Sequence, residues 1–512
     1  MGRCGVLRGV AGTRAVTAAL LLAALAVAQD PFESLFDGTT LAGWKPAPGW
    51  SAAEGEIRFD GKGADSLVSK RAFGDCELRL EWLIQSKGDS GIYLRGCPQV
   101  QIWDNPEGSG ALWNNQRGPA KPLSVADRPV GEWNEFRIRM VGDAATVHLN
   151  GVLVTDSVVL ENYWDRASPV PERGPIWLQA HESPVRFRNI RVRELPVGHR
   201  SDLFNGVDLA GWTPMGDAIW TVEEGTLLGR VGGGSQSFLA TERSFGDFRL
   251  DLEVKAEDQG NSGIQFRSSE KQGRLAGYQA EVDPSARQYS GGLYDEFTGR
   301  GWLQDLSDNP QGRAAWKDGD WNRYRIEADG PRLRCWVNGV PTADVLDTHH
   351  TDGVIGLQVH SGRNTRVRWR GLTLLDRGVR HWQPLFTPDL DGWKATKSGN
   401  WRLDGEGVLS SVGAGFLTRS DAGEFCMTME VRGGLTLRLP DGSERLDPDR
   451  DDGSWRTLEI IHAGGRVVVI GDGESVCEPP IPAIGPTPLV LSCVSGAVQI
   501  RNARLLGPAS DR

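Results

Sequence analysis

"GEWNEFRIRMVGDAATVHLNGVLV", residues 131–154, alternates apolar and polar side chains and carries an Asn-Gly pair at positions 150–151. Asn-Gly supplies the positive φ angles that a two-residue hairpin turn requires. The pattern returns as "GDWNRYRI" with Asn-Gly at 338–339, and as "GSWRTLEI" with Asp-Gly at 472–473. The sequence therefore predicts an equivalent β-hairpin in each of three repeats.

The beginning of each repeat is also recognisable, as "LFDGTTLAGW" from Leu35, "LFNGVDLAGW" from Leu203 and "LFTPDLDGW" from Leu385. A repeat of this length is a whole domain, and short alternating strands between turn signals are typical of a β-sandwich or jelly roll. The predicted domains are residues 29–197, 198–379 and 380–512.

Residues 1–28 have the features of a signal peptide. Three arginines precede an apolar run, and "AVA" at 26–28 fits a signal-peptidase site. The alternative is a membrane anchor, but about 14 apolar residues are too few to span a bilayer comfortably. The sequence predicts a periplasmic or secreted protein after removal of this segment, without a transmembrane segment.

The formal net charge of −10, from 57 basic and 67 acidic residues, makes nucleic acid an improbable partner. The cysteines show no CxxC spacing, so the sequence does not predict a zinc site.

The strands of the first two domains each offer one apolar and one polar face, because side chains alternate along a strand. Gln, Arg, His, Tyr and Trp dominate the polar face, which is typical of a sugar-binding surface: amides and guanidinium groups bind hydroxyls, and aromatic rings cover sugar rings. In domain 1 the predicted face carries Tyr93, Arg95, Gln101, Trp103, Gln179 and His181. In domain 2 it carries Gln265, Arg267, Glu281, Asp283, Gln358 and His360.

Domain 3 lacks most of this pattern. It has no counterpart of the "DSG" and "NSG" segments at 89–91 and 261–263, nor of "GALW" and "GGLY" at 110–113 and 291–294. We predict a structural or partner-facing domain. Glu81, Glu253 and Glu430 recur in all three repeats, which favours a scaffold role over a catalytic one.

The order and spacing of these motifs resemble the 3-keto-disaccharide hydrolase domain family. The matching stretches include "LFDGTTLAGW", "SGIYLR", "NSGIQFR", "GYQAEVD", "GGLY" and "LQAHESPVRFRNIRV". The family's fold is similar to that of concanavalin A-type lectins and glucanases. The resemblance therefore implies an all-β chain of tandem concanavalin A-like jelly-roll β-sandwiches, with a degenerate third copy.

The resemblance also implies a sugar substrate already oxidised at C3, which a separate oxidoreductase would supply. A C3 ketone acidifies the C2 proton, so that proton loss, elimination of the C1 glycosidic oxygen and hydration can follow. Such a site needs a general base, an enolate stabiliser and an acid for the leaving group.

Five residues are candidates for this chemistry. His181 and His360 suit a base or a metal ligand, and the alternative is a hydrogen-bonded histidine at a strand edge. Arg95 and Arg267 suit enolate binding, and the alternative is a cross-strand ion pair. Glu281 suits an acid or a metal ligand, and the alternative is a solvated strand edge.

The remaining candidates bind substrate. They are Tyr93, Gln101, Trp103, Trp113, Gln179, Gln265, Tyr278, Asp283, Tyr294 and Gln358. No cofactor is certain, and a divalent metal ion that stabilises the enolate stays open. Two functions remain: an exported enzyme that cleaves 3-keto-glycosides, or a non-catalytic, lectin-like glycan-binding protein.

Overall fold

The computed structural model describes residues 32–507 of the chain apart from short internal segments. The segments left out are 117–118, 167, 169, 196–198, 258–259, 363, 388–389, 391–392, 396–400, 413–414, 420–424, 434, 439–443, 448–453, 464–465, 473, 476–480, 483–488 and 494–496. The predicted signal peptide, residues 1–28, lies outside the described residues.

The first pair of antiparallel sheets contains thirteen strands. They are β1 (Glu33–Ser34), β2 (Trp50–Ala53), β3 (Glu56–Phe59), β4 (Leu67–Phe73), β5 (Cys76–Ile84), β6 (Asp89–Tyr93), β7 (Gln99–Trp103), β8 (Leu112–Trp113), β9 (Asn134–Val141), β10 (Ala144–Leu149), β11 (Val152–Val159), β12 (Gly174–Leu178) and β13 (Val185–Glu194). The large sheet has the order β11-β10-β9-β5-β13-β3-β2, with β1 also on β13, and the small sheet has the order β4-β12-β6-β7-β8.

The second pair repeats this arrangement. Its elements are β14 (His199–Asp202), β15 (Trp212–Met215), β16 (Ile219–Glu223), β17 (Thr226–Arg230), β18 (Ser237–Phe245), β19 (Phe248–Glu257), β20 (Ser262–Lys271), β21 (Arg274–Val282), β22 (Leu293–Glu296), β23 (Gly301–Gln304), helix α1 (Pro310–Arg313), β24 (Asn322–Asp329), β25 (Arg332–Val337), β26 (Val340–Leu346), β27 (Gly353–Val359) and β28 (Arg366–Asp376). The large sheet is β16-β17-β28-β19-β24-β25-β26 with β14 on β28, and the small sheet is β15-β18-β27-β20-β21-β22-β23.

The third pair has the same plan with shorter strands. They are β29 (Trp382–Pro384), β30 (Lys394–Ala395), β31 (Arg402–Leu403), β32 (Leu409–Val412), β33 (Gly415–Arg419), β34 (Phe425–Gly433), β35 (Leu435–Arg438), β36 (Glu444–Asp447), β37 (Arg456–Ala463), β38 (Arg466–Gly471), β39 (Glu474–Ser475), β40 (Ile481–Pro482), β41 (Leu489–Cys493) and β42 (Ala497–Leu506). The large sheet is β31-β32-β42-β34-β37-β38-β39, with β29 on β42 and β40 on β38, and the small sheet is β30-β33-β41-β35-β36. The predicted all-β, sandwich-type fold is confirmed.

The predicted hairpins of the first two domains are confirmed. Leu149 pairs with Val152, and Asn150 and Gly151 between them have φ angles of 51° and 84°. The Asn150 side chain also donates to Asn134 Oδ1 at 2.8 Å. In domain 2, the Asn338 side chain donates in the same way to Asn322 Oδ1 at 2.8 Å. This bond explains why both repeats keep a Trp-Asn pair before the hairpin.

The recurring "GW" at the start of each repeat closes the first loop of each domain. The indole Nε1 of Trp44 donates to the Leu35 carbonyl at 3.0 Å, and Trp212 donates to the Leu203 carbonyl at 2.7 Å. Trp393 donates to Leu385 at 3.4 Å. A buried indole needs such an acceptor, so the spacing between leucine and tryptophan is a structural requirement.

The glutamates that recur in all three repeats stabilise the large sheets. Glu81, Glu253 and Glu430 pair with Arg188, Arg370 and Arg501, each at 2.6 Å. Each arginine lies over an indole of the recurring Trp motif, at 4.0 to 4.1 Å from the ring centroid. We call each set a Trp-Arg-Glu stack. In each stack, the same guanidinium is held by the ion pair with the glutamate and by cation–π attraction to the indole. The three glutamates therefore stabilise the large sheets, as their predicted scaffold role requires.

Each sandwich has its own apolar core, and the domains also contact one another. Asp156 of domain 1 accepts from Arg332 at 2.6 Å and from Arg334 at 3.0 Å. Between domains 2 and 3, Asp344 pairs with Arg466. Among the described residues, no helix is long and apolar enough to cross a membrane.

Candidate functional site

The small sheet of domain 2 carries a row of amide side chains across neighbouring strands. Gln279 lies opposite Tyr294 on one side and opposite Gln265 on the other, and Gln265 lies opposite Gly356. The Nε2 atoms of Gln358 and Gln265 donate to Gln279 Oε1 at 3.0 and 3.4 Å. The amides therefore form one connected network on the face that points away from the apolar core.

Glu281 is the carboxyl group of this network. Its Oε1 accepts from Asn261 Nδ2 at 2.7 Å, and its Oε2 accepts from Gln279 Nε2 at 2.9 Å. The residue is 5% exposed. Burial raises the pKa of Glu281, although the bonds from Asn261 and Gln279 oppose the shift. A carboxyl group that holds its proton to a higher pH than usual suits general-acid catalysis.

Gly263 creates the space for this network. A Cβ atom built at Gly263 would lie 2.3 Å from Gln279 Cδ and 2.7 Å from its Nε2. The Gln279 side chain therefore crosses directly over the glycine. The "SG" of the "NSG" segment is explained by this contact, because no larger residue leaves room for the amide.

His360 follows this face at the end of β27. The register that pairs Ile264 with Leu357 brings Asn261 opposite His360, one step beyond the strand. His360 Nδ1 lies 2.8 Å from the Ser361 carbonyl oxygen. Because a carbonyl only accepts, Nδ1 carries the proton in the neutral ring, and Nε2 has the free lone pair of a base.

Charged and aromatic groups border the face beside Glu281. Asp283, 2% exposed, accepts from Arg287 Nε at 2.7 Å, and the Arg287 guanidinium lies 3.6 Å from Glu281. Arg287 also lies over the Trp302 ring, which contacts Tyr294 at 5.1 Å between centroids. Asp283 is thus a buried ion-pair partner at the border, and Tyr294 is part of an aromatic wall.

Domain 1 has the same network with its acid and amide exchanged. Gln99 Nε2 donates to Gln101 Oε1 at 2.6 Å, and Gln101 Nε2 donates to Asp89 Oδ1 at 2.9 Å. The carboxyl group thus occupies the position of Asn261, and an amide occupies that of Glu281. His181 lies opposite Asp89 by the register of Trp177 with Tyr93, and it is exposed.

Aromatic rings surround the domain 1 network. Tyr93 and Trp177 contact each other at 5.4 Å between centroids, and Trp164 lies over both at 6.0 and 6.4 Å. Tyr93 is consequently only 8% exposed. Trp103 and Trp113 form an edge-on pair at 5.5 Å. Gln179 reaches the Tyr93 hydroxyl only at 3.5 Å.

The prediction that Arg95 and Arg267 lie on the polar face is wrong. A bulge follows Phe266 in β20, and both arginines have positive φ, which turns the side chains off the face. Arg267 pairs with Asp247 at 2.9 Å and donates to the Gly246 and Gly330 carbonyls, and Arg95 pairs with Asp75 at 2.7 Å. Both are buried structural ion pairs.

Tyr278 also lies elsewhere than predicted. Its ring is 0% exposed and packs in the core against Phe266, and its hydroxyl donates to Asp347 at 2.5 Å. Side chains alternate along β21, so Gln279 and Glu281 occupy the polar face and Tyr278 points into the core. Tyr278 therefore cannot contact a substrate on that face.

A candidate metal centre lies on this opposite side of the sheet. Asp295, His349 and His350 place one ligand atom each within 4.8 Å of one another, a donor set that suits a divalent ion such as Zn²⁺. Asp295 Oδ1 lies 3.1 Å from His350 Nε2, and its other oxygen pairs with Arg300 at 2.9 Å. Asp295 pairs with Tyr278, so this cluster does not face Glu281.

Three residues that connect the networks were not among the predicted site residues. Strand alternation placed Gln99 and Gln279 on the polar faces without a role, and Asn261 belongs to the "NSG" segment. Trp164 lies in a loop without periodicity. The neighbouring tyrosine in "NYW" is the feature of the sequence that could have identified Trp164 as a candidate.

Known proteins show similarity to the first two domains. The model of the 3-keto-alpha-glucoside-1,2-lyase-like domain matches residues 31–193 and 200–375. A 3-keto-disaccharide hydrolase of Bacteroides thetaiotaomicron is 26% identical over 238 residues, which cover 33% of this chain and 81% of that protein.

Two solved structures are similar as well. One is a Parabacteroides distasonis protein described as a glycosyl hydrolase, 30% identical, with 33% of this chain and 84% of the other covered and a TM-score of 0.28. The other is a carbohydrate-binding module of Bacillus subtilis, 21% identical, with 32% and 96% covered and a TM-score of 0.27.

The two matched segments make up more than half of the 512 residues and coincide with the two sandwiches that carry the amide networks. The protein is carbohydrate-active and glycosyl hydrolase-like, and the chain belongs to the 3-keto-alpha-glucoside-1,2-lyase-like domain family.

Proposed function

We propose that domain 2 cleaves the glycosidic bond of 3-keto-glycosides by elimination and hydration. The observation that carries the proposal is Glu281, a buried carboxyl group with a raised pKa that accepts from two neutral amides. His360 follows β27 two strands away, with β20 between it and the Glu281 strand β21. An acid and a base on the same face are what the reaction requires.

His360 Nε2 removes the proton from C2 of the keto sugar, and the electron pair moves to the C3 oxygen as an enolate. The enolate then collapses, a C1–C2 double bond forms, and the C1–O bond to the leaving group breaks. Glu281 gives its proton to the departing glycosidic oxygen. Water adds across the double bond afterwards, with its oxygen at C1 and a proton at C2.

The amides support the acid in this scheme. Gln265 and Gln358 are 0% exposed and donate to Gln279 Oε1, so they fix the Gln279 side chain beneath the sugar. Asn261 and Gln279 hold the Glu281 carboxyl group in one orientation.

The substrate requires a preceding oxidation of a C3 hydroxyl, so we also propose that an oxidoreductase acting on glycosides supplies it. The basic and apolar N-terminal segment supports an exported site of action, periplasmic or secreted.

The test is release of sugar from a 3-keto-disaccharide, with the unoxidised disaccharide as control. We expect turnover of the keto form only, with a loss of about 10²- to 10⁴-fold in kcat for Glu281→Gln or His360→Gln. His381→Gln, at an exposed histidine outside the face, is the matched control. His181→Gln reports whether domain 1 contributes. Full turnover in the first two variants would refute the assignment, and no turnover in the unsubstituted chain would refute the activity.

A further inference from the structure

The row of side chains across the small sheet differs between the two domains. In domain 1 it reads Trp113, Gln99, Tyr93 and Trp177 on four successive strands. In domain 2 the equivalent row reads Tyr294, Gln279, Gln265 and Gly356. Domain 1 therefore places aromatic rings where domain 2 places an amide and a glycine.

Trp164 provides one flat apolar surface in domain 1. Its ring is 60% exposed although it stacks on Tyr93 with an interplanar angle of 23°. Its Nε1 donates to the Gly96 carbonyl at 2.7 Å. The stack and the hydrogen bond fix the ring, so one face of an immobilised indole points to solvent. Such a face complements the apolar C–H face of a pyranose ring.

Trp113 provides a second aromatic surface at the other end of the row. It is 45% exposed and contacts Trp103, whose Nε1 donates to the Gly108 carbonyl at 2.6 Å. Three strand spacings of about 4.8 Å separate Trp113 from Trp177, which lies beneath Trp164. The row is therefore about 14 Å long, which exceeds the width of one pyranose ring.

One unused hydrogen-bond acceptor lies between the two aromatic surfaces, and another lies beside Trp177. Gln99 is 3% exposed, and its Oε1 has no hydrogen-bond partner within the described parts of the chain. The same holds for Gln179 Oε1. A buried acceptor without a partner is costly, and a sugar hydroxyl that points down between the rings would satisfy it.

Domain 2 cannot form the same surface. A Cβ atom at Gly356, the equivalent of Trp177, would lie 2.3 Å from Leu275 Cδ1. Leu275 packs there with Phe238 in a small apolar cluster. The aromatic row is thus a property of domain 1 that domain 2 does not share.

From these contacts we propose that the small sheet of domain 1 binds two neighbouring pyranose rings of an unoxidised oligosaccharide, one on Trp164 and one on Trp113. This proposal rests on the proposed function only in taking carbohydrate as the ligand. It does not depend on the cleavage of 3-keto sugars. It would hold a glycan chain on domain 1 while domain 2 acts on the oxidised sugar.

The test is isothermal titration of the full chain with cellotriose and maltotriose, which present β- and α-linked glucose. Both trisaccharides are unoxidised, so the proposed reaction does not consume them during the titration. We expect binding of at least one trisaccharide, and Trp164→Ala or Trp113→Ala to weaken it about tenfold. Trp164→Phe, which keeps a ring, should recover part of the affinity. Trp133→Ala, at a tryptophan of the large sheet, is the matched control and should bind as the parent does.

Unchanged affinity in both Trp164→Ala and Trp113→Ala overturns the proposal, as does the absence of trisaccharide binding. Circular dichroism of each variant shows whether a loss of trisaccharide binding is caused by misfolding. Turnover of the 3-keto-disaccharide is measured separately in the same variants. Failure of the binding site and failure of the proposed activity are therefore distinct results.

Discussion

At the scale of single residues, the environment of Glu281 determines the pH dependence of the proposed reaction. Burial raises its pKa, so the acid form persists above pH 4.5, the ordinary value. We expect the kcat/KM profile to fall as pH rises through the raised pKa, because the proton for the leaving group is lost. A profile that is flat from pH 4.5 to neutrality would contradict this role.

The same shift has a consequence for stability. A carboxyl group with a raised pKa favours the folded state below its unfolded pKa, and this advantage is lost as pH rises through the folded pKa. Glu281→Gln should therefore increase the free energy of unfolding at neutral pH. Urea denaturation of both forms at pH 7 measures the difference.

Glu77 in the large sheet of domain 1 shows the opposite shift. Burial alone would raise its pKa, but Arg137, Arg79 and Arg193 outweigh this effect and lower it to about 2. Its contribution of about 3 kcal/mol is complete above the unfolded pKa and disappears as pH falls through the folded one. Glu77→Gln should lower stability at pH 7 and flatten its decline between pH 4.5 and 2, measured by urea denaturation. An equally steep decline in the variant would contradict the prediction.

The sequence identified the residue types of the face but not every orientation. Strand alternation correctly placed Glu281 and Gln358, because β21 and β27 stay regular there. It misplaced Arg267, because a bulge shifts the alternation and leaves no mark in a period-two pattern. It misplaced Arg95, because this residue follows the end of β6 and has a positive φ. His181 and His360 keep catalytic roles only as predictions.

At the scale of the strands, Gly263 controls the geometry of the site. In Gly263→Ala the new methyl group would displace the Gln279 side chain and break its bond to Glu281. We expect kcat/KM to fall at least tenfold and stability to fall by about 1–3 kcal/mol. Gly405→Ala, where nothing lies within 4 Å of the new atom, is the matched control. Steady-state kinetics and thermal melts measure both effects, and unchanged kinetics would show that the amide network tolerates the shift.

The Trp-Arg-Glu stacks explain why some motifs survive in the third domain. They stabilise the large sheet, which all three sandwiches need, whereas the amide networks occupy the small sheet. The recurrence of tryptophan and glutamate was visible in the sequence. Their common arginine was not, because it lies about 100 residues from the glutamate in domains 1 and 2.

At the scale of the whole molecule, Asp156 couples the first two domains through Arg332 and Arg334. In Asp156→Asn both guanidinium groups lose a charged partner, which we expect to cost about 1–3 kcal/mol of coupling. Differential scanning calorimetry should then show the unfolding transitions of domains 1 and 2 at more widely separated temperatures. Asp308→Asn, at an exposed aspartate, is the matched control, and an unchanged calorimetric profile for Asp156→Asn would contradict the coupling.

The repeated motifs predicted three domains, but they did not predict the contacts between the sandwiches. Asp156 and Arg332 are separated by 176 residues, and neither belongs to a motif shared by the repeats. Contacts between domains depend on surface residues that differ from copy to copy, so repetition in the sequence contains no information about them.

The exchange of acid and amide between the two faces also bears on how this chain evolved. Two substitutions, Asn261→Asp and Glu281→Gln, would give domain 2 the arrangement of domain 1. If Asn261→Asp comes first, the intermediate has two adjacent carboxyl groups that repel each other. If Glu281→Gln comes first, the intermediate has two amides and no acid. The second intermediate folds without charge repulsion but lacks the proposed acid. Because the chain contains two copies of the domain, one copy can keep the proposed acid while the other passes through the amide-only intermediate.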